Sequence, residues 1–203
     1  MIVILPNNPP HSEQLKTFLS SLLPANCEIL DPGEGLSSLQ GEKLLFAVAL
    51  DEGGCSLEYY QMLSTLRRGG DLLCGCTAGV IVTGQGELYT KDVARDLVLA
   101  ANLAGCAFLG RPLVEATGSL RNFRVQAQIY DTDEPTAFRM AVEELLERLA
   151  AWEGPPPIRK VLALHASMRA TSNTLALWEL VKTGLRSDVA VQELCLQNGT
   201  LAV

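Results

Sequence analysis

Residues 165–174 read HASMRATSNT and bring Ser167, Arg169, Ser172, Asn173 and Thr174 into one short turn. Residues 158–164 ahead of the turn read as a strand, and TLALWELVKTG behind it has helical spacing. A turn of this composition between a strand and a helix can hold an anion. The first helical turn leaves backbone N–H groups without intrahelical partners, and the helix dipole favours negative charge there. Ser167, Ser172 and Thr174 add hydroxyl donors, Asn173 adds an amide, and Arg169 adds a forked cation. A dianionic phosphomonoester suits that set better than a neutral ligand. An ordinary N-cap accounts for the same residue types, with Ser172 or Asn173 capping and Arg169 in solvent, and spacing alone does not separate the two. His165 borders the turn, but a histidine at a strand end is more often structural, and neither it nor His11 is assigned a role. No residue is singled out as catalytic.

The elements that position this turn begin late in the chain. Residues 153–157, EGPPP, form a stiff connector that no helix can cross. After it the expected order is a strand over 158–164, the turn, a helix over 174–183 stopped by Gly184, and a strand over 189–196. Asn198-Gly199 then signals a tight turn. Residues 158–203 therefore read as the β-α-β opening of a second unit.

Residues 1–152 alternate strand and helix on their own. Strands are expected over 1–5, 27–30, 43–50, 79–83 and 106–109. The run KLLFAVAL at 43–50 is apolar throughout, as in a parallel strand buried on both faces. Ser12 is expected to cap a first helix. Ser56 is expected to cap another, with Tyr59, Tyr60, Leu63 and Leu66 inward, ended by Gly69-Gly70. A helix over 91–104 stops at Gly105, and Asp133 with Pro135 starts a long one carrying Phe138, Val142, Leu145 and Leu149 at helical spacing. The fold class this implies is α/β, a doubly wound parallel sheet. The stretch DPGEGLSSLQGE must cross between parallel strands yet shows no convincing helix.

Ligands of such sheets sit beyond the carboxyl ends of the strands. The loop PNNPPHSE after the first strand is poorly suited to phosphate: Pro9 and Pro10 remove donors, and the first cation is Lys16. Gly84-x-Gly86 after the fourth strand lacks the third glycine of a dinucleotide turn and reads as a plain turn. Glu87 and Tyr89 on that loop are either pocket residues or ordinary residues at a helix start.

The stretch ALHASMRATSNTLAL resembles the first strand, loop and helix of flavodoxin-like NAD(P)H-dependent FMN reductases, whose pattern is close to G-S-x-R-x-x-S-x-T. Ser167, Arg169, Ser172 and Thr174 match it, Asn173 falls where a polar group is frequent, and Ala166 replaces the glycine. By this resemblance these residues hold the 5′-phosphate of FMN, with NAD(P)H as co-substrate and a small-molecule electron acceptor. The segment GVIVTGQGELYTKDVARDLVLAANLAGCAFLGRPLVEATGSL is also similar to the fourth strand, helix and fifth strand of a flavodoxin-like domain. The resemblance implies a flavodoxin-like unit without a good phosphate loop, followed by a partial flavin-binding unit, as in a tandem protein truncated at its C-terminus. A flavin-free scaffold or interaction module is the alternative, and a one-electron carrier a third. Strand edges left open by a partial unit would favour a homodimer.

The 203 residues carry a net charge of −7 and 48% hydrophobic residues, enough for a proper core. That acidic balance argues against nucleic acid and anionic lipid as partners. No apolar run approaches the ~20 residues that span a bilayer, and the expected location is the cytoplasm. The six cysteines are scattered, and Cys74-Gly75-Cys76 lacks the partners of a zinc site, so no metal is expected. They are read as mostly small buried hydrophobes.

Overall fold

A computed structural model describes residues 1–24, 26–36, 39–154, 159–166, 169 and 171–196. The chain divides into two compact units, Met1–Gly154 and Pro155–Val203.

The first unit is built on a five-stranded parallel sheet ordered β2-β1-β3-β4-β5. Its strands are β1 (Ile2–Ile4), β2 (Glu28–Leu30), β3 (Lys43–Leu50), β4 (Thr77–Gly84) and β5 (Ala107–Ala116). This α/β order is the flavodoxin-like one. Helices cover both faces, and the alternation of side chains along each strand feeds two separate cores. Leu44, Phe46, Val48 and Leu50 of β3 face one core with α3 (Leu57–Arg68) and α4 (Thr90–Leu103). Leu45, Ala47 and Ala49 face the other, with α1 (His11–Ser20), α5 (Arg124–Ile129) and α6 (Glu134–Ala151). An apolar run with no polar alternation is what such a strand requires.

Local caps set several helix starts. Ser56 Oγ accepts from Tyr59 N at 3.3 Å, and Asp133 Oδ1 accepts from Thr136 N at 2.8 Å, with Pro135 in the first turn of α6. Phe138, Val142, Leu145 and Leu149 are all buried.

Three expectations need correction. Ser12 does not cap α1: Pro10 precedes the helix, and the Ser12 hydroxyl accepts from Asn8 N at 2.9 Å from within it. Tyr60 does not point inward but is half exposed, because Met62 fills the α3 stripe beside Tyr59. The crossover after β2 is helical after all: α2 (Pro32–Gly35) is one turn long, started by Asp31, whose Oδ1 accepts from Gly33 N at 2.9 Å. Beyond these, β5 runs through Gly110-Arg111-Pro112 to Ala116 with one register irregularity, and a 3-10 turn, Arg121–Phe123, leads into α5.

In the second unit, β6 (Lys160–His165) pairs in parallel with β7 (Ala190–Cys195) across α7 (Asn173–Thr183), which ends at Gly184. Lys182 on α7 lies 2.8 Å from Glu193 on β7. Val161, Ala163 and His165 share the Glu193 side of the sheet, so α7 packs there. Leu162 and Leu164 on the opposite side are 55% and 57% exposed, and α7 has no buried residue. The linker prolines Pro155, Pro156 and Pro157, the start of the expected strand at Ile158, and Asn198-Gly199 lie outside the described residues.

Candidate functional site

The β6–α7 turn places four of the five candidate residues, and Ser167 lies outside the described residues. Ser172 is the N-cap of α7: its Oγ accepts from Leu175 N at 3.4 Å, and its carbonyl accepts from Ala176 N at 3.0 Å. Asn173 and Thr174 are exposed in the first turn, and among the described residues their N–H groups have no acceptor. Arg169 is exposed and makes no hydrogen bond or ion pair among the described residues. His165 ends β6 with its Nδ1 shielded from solvent and unpaired among the described residues. Among the described residues the turn thus combines a capped helix start, two N–H donors without acceptors and a guanidinium without a partner. A phosphate dianion meets all three with favourable sign.

The first unit treats its own switch point differently. In a sheet of this order the ligand crevice opens between the loops after β1 and β3. Here Asn8 bridges them, its Nδ2 donating to Ala49 O at 2.9 Å and to Cys55 O at 3.3 Å. Ser12 Oγ donates to Asn7 Oδ1 at 3.3 Å, so Asn8 and Ser12 spend their side-chain donors within the first unit. The loop after β3 is likewise closed on itself, with Cys55 N donating to Asp51 Oδ1 at 2.8 Å. Tyr89, with φ 74°, packs its ring on Gly54 of that loop. The role of Asn8 was missed in the sequence because its two acceptors lie 41 and 47 residues away.

An open cleft of about 470 Å³ lies instead at the ends of β4 and β5. Its floor is tightly built. Gly118 N donates to Gly86 O at 2.9 Å, and Asn122 Oδ1 accepts from both Thr117 N and Thr117 Oγ1. Asn122 Nδ2 donates to Glu115 O at 2.8 Å. Glu115, next to last in β5, has its side chain 12% exposed; Thr90 Oγ1 donates to it at 3.0 Å, and Lys91 lies 3.4 Å away. Glu87 accepts from Ser119 N at 2.8 Å; the Ser119 contacts hold its carboxyl below the ordinary range. Arg121 completes the rim without an ion pair among the described residues. Glu87 and Tyr89 were picked out from the sequence. Glu115 and Arg121 were not, because the fifth strand was expected to stop at residue 109.

All six cysteines are free thiols. Cys76 and Cys106 are buried, and burial pushes the Cys106 thiol up to about 12, which leaves it inert. Cys55 and Cys74 are exposed, so the reading of the cysteines as mostly buried hydrophobes fits only part of the set. Among the described residues no group of His, Cys, Asp and Glu could hold a metal ion, and no helix is long and apolar enough to cross a membrane.

No protein-family model, curated protein or solved structure matches the chain.

Proposed function

We propose that the chain is an FMN-binding oxidoreductase in which the β6–α7 turn anchors the flavin 5′-phosphate. The carrying observation is the start of α7: Ser172 caps it, and among the described residues the N–H groups of Asn173 and Thr174 lack acceptors and the exposed Arg169 lacks a partner. A phosphomonoester would take both amides, the Thr174 hydroxyl and the guanidinium. Bound flavin would supply hydride acceptance from NAD(P)H and its delivery to a small-molecule acceptor. The protein residues would bind and orient it. The acidic balance of the chain argues against nucleic acid and anionic membranes as partners, and the setting proposed with it is the cytoplasm. Flavin absorbance of the purified protein, quenching of FMN fluorescence on titration, and NAD(P)H oxidation by the loaded protein test this. A colourless protein that takes up no FMN rejects it. Uptake without NAD(P)H oxidation would reassign it as a one-electron carrier.

A second reading, a flavin-free interaction module, is favoured by a different observation. Leu162, Leu164, Leu177 and Leu180 of the second unit are all more than half exposed. A two-stranded sheet with an open apolar face is marginal alone, which supports covering by a second copy in a homodimer. Light scattering across a concentration series measures this directly.

A further inference from the structure

The cleft at the ends of β4 and β5 is not accounted for by the flavin proposal, which concerns the second unit. Its volume, about 470 Å³, is that of a small-molecule site. Its lining is balanced in charge. Glu87 and Glu115 present carboxylates, Lys91 and Arg121 present cations, and Leu88 and Tyr89 form an apolar side. Leu88 is 65% and Tyr89 54% exposed, large apolar surface left open next to four charges.

An anion alone would face two carboxylates in this cleft, and a cation alone would face two positive groups. Only a ligand carrying both signs has a favourable partner for each. Glu87 remains ionised, since Ser119 holds its carboxyl below the ordinary range. Glu115 is committed on one oxygen to Thr90 and meets Lys91 on the other only at 3.4 Å, with Lys91 80% exposed. The exposed Lys91 ammonium can swing from this long contact towards a ligand carboxylate, provided a ligand ammonium takes its place at the largely buried Glu115. The frame behind these groups is rigid. Gly118 meets the β4 loop so closely that a Cβ there would stand 1.9 Å from Gln85 O. Tyr89 is held at a positive φ that a bulky residue rarely adopts; one part of its ring packs on Gly54, and the rest stays exposed at this rim.

We infer that the β4–β5 cleft binds a small zwitterion, an α-amino acid with an apolar or aromatic side chain. Its ammonium lies at Glu87 and Glu115, its carboxylate at Arg121 and Lys91, and its side chain against Leu88 and Tyr89.

The test is calorimetric titration of the full chain with L-leucine, L-isoleucine, L-valine, L-methionine, L-phenylalanine, L-tyrosine and L-tryptophan, each alone. The best binder is then compared with its decarboxylated amine and its deaminated acid. Saturable binding of at least one amino acid is expected, with both single-charge analogues weaker by about tenfold or more. Arg121→Gln should lower amino acid affinity to that of the amine while leaving the amine unchanged. Glu87→Gln should lower it towards that of the acid. Both residues are at the surface, and circular dichroism verifies folding of each variant. The inference is overturned if no amino acid saturates below about 20 mM, if either analogue binds as tightly as its parent, or if both variants bind unchanged. FMN uptake is measured separately, so either result leaves the flavin proposal to its own test.

Discussion

Tyr89 lies against the bare Cα of Gly54: a Cβ on Gly54 would stand 2.3 Å from Tyr89 Cδ2. Both residues have left-handed backbones, φ +75° for Gly54 and 74° for Tyr89. The loops after β3 and β4 are therefore closed on each other by a contact only glycine permits. Gly54→Ala is expected to destabilise the protein by about 1–3 kcal/mol through steric overlap and backbone strain. In a Tyr89→Ala background the cost should shrink, since the ring is gone and only the strain remains. Urea denaturation of the four proteins in the cycle measures this, and strict additivity would contradict the contact.

Gly118 makes a harder contact. Its missing Cβ would overlap Gln85 O, a backbone atom with no rotamer to move. Gly110, eight residues earlier, has nothing within 4 Å of its Cβ position. Gly118→Ala should therefore cost about 3 kcal/mol or more, whereas Gly110→Ala should stay within about 0.5 kcal/mol of the parent protein. Thermal denaturation of the two variants side by side checks the contrast, and equal midpoints would refute it.

Features fixed by neighbouring residues were legible in the sequence. The bounds of β3 follow from a run that is apolar on both faces, and the starts of α3 and α6 follow from Ser56 and Asp133 with Pro135. What stayed hidden depends on distant partners. Gly110-Arg111-Pro112 reads as a break, yet β5 passes through it because Arg148 on α6 donates to Gly110 O at 2.6 Å and to Arg111 O at 3.1 Å. That passage carries Glu115 to the rim, so the β4–β5 cleft could not be foreseen. Ser12 has the chemistry of a cap, but the chain before it folds back so that Asn8 uses the hydroxyl. At the β6–α7 turn the residue types offered Ser172 or Asn173 as a cap, and Ser172 takes that place, whereas an anion bound there leaves no separate mark in the sequence.

Asp133 offers a test by pH. The Thr136 side chain and then its N–H hold the Asp133 carboxyl below the ordinary carboxylate range. A depressed folded-state value means the ionised form favours the fold. That contribution is fully present above the unfolded value of about 3.9 and is lost as pH falls through the folded one. Asp133→Asn keeps a capping side chain but removes the charge at the start of α6. The parent protein should have the higher denaturation midpoint at neutral pH, and the difference should close in strong acid. A pH-independent difference would show that the charge on Asp133 is not involved.

The two explanations of the β6–α7 turn part over Ser172 and Arg169. As a cap, Ser172 should contribute about 1 kcal/mol to α7, so Ser172→Ala should speed amide exchange at Leu175 and the residues after it whether or not a ligand binds. Arg169 is exposed and makes no hydrogen bond or ion pair among the described residues, so Arg169→Ala should leave that exchange pattern and the thermal midpoint unchanged. If the turn holds FMN, Arg169→Ala should weaken its binding by about tenfold or more, the value of a charge-assisted hydrogen bond. Riboflavin, which lacks the phosphate, should bind the parent and the variant equally. FMN affinity unchanged by Arg169→Ala would reduce the turn to a capped helix start and leave the flavin proposal without its anchor.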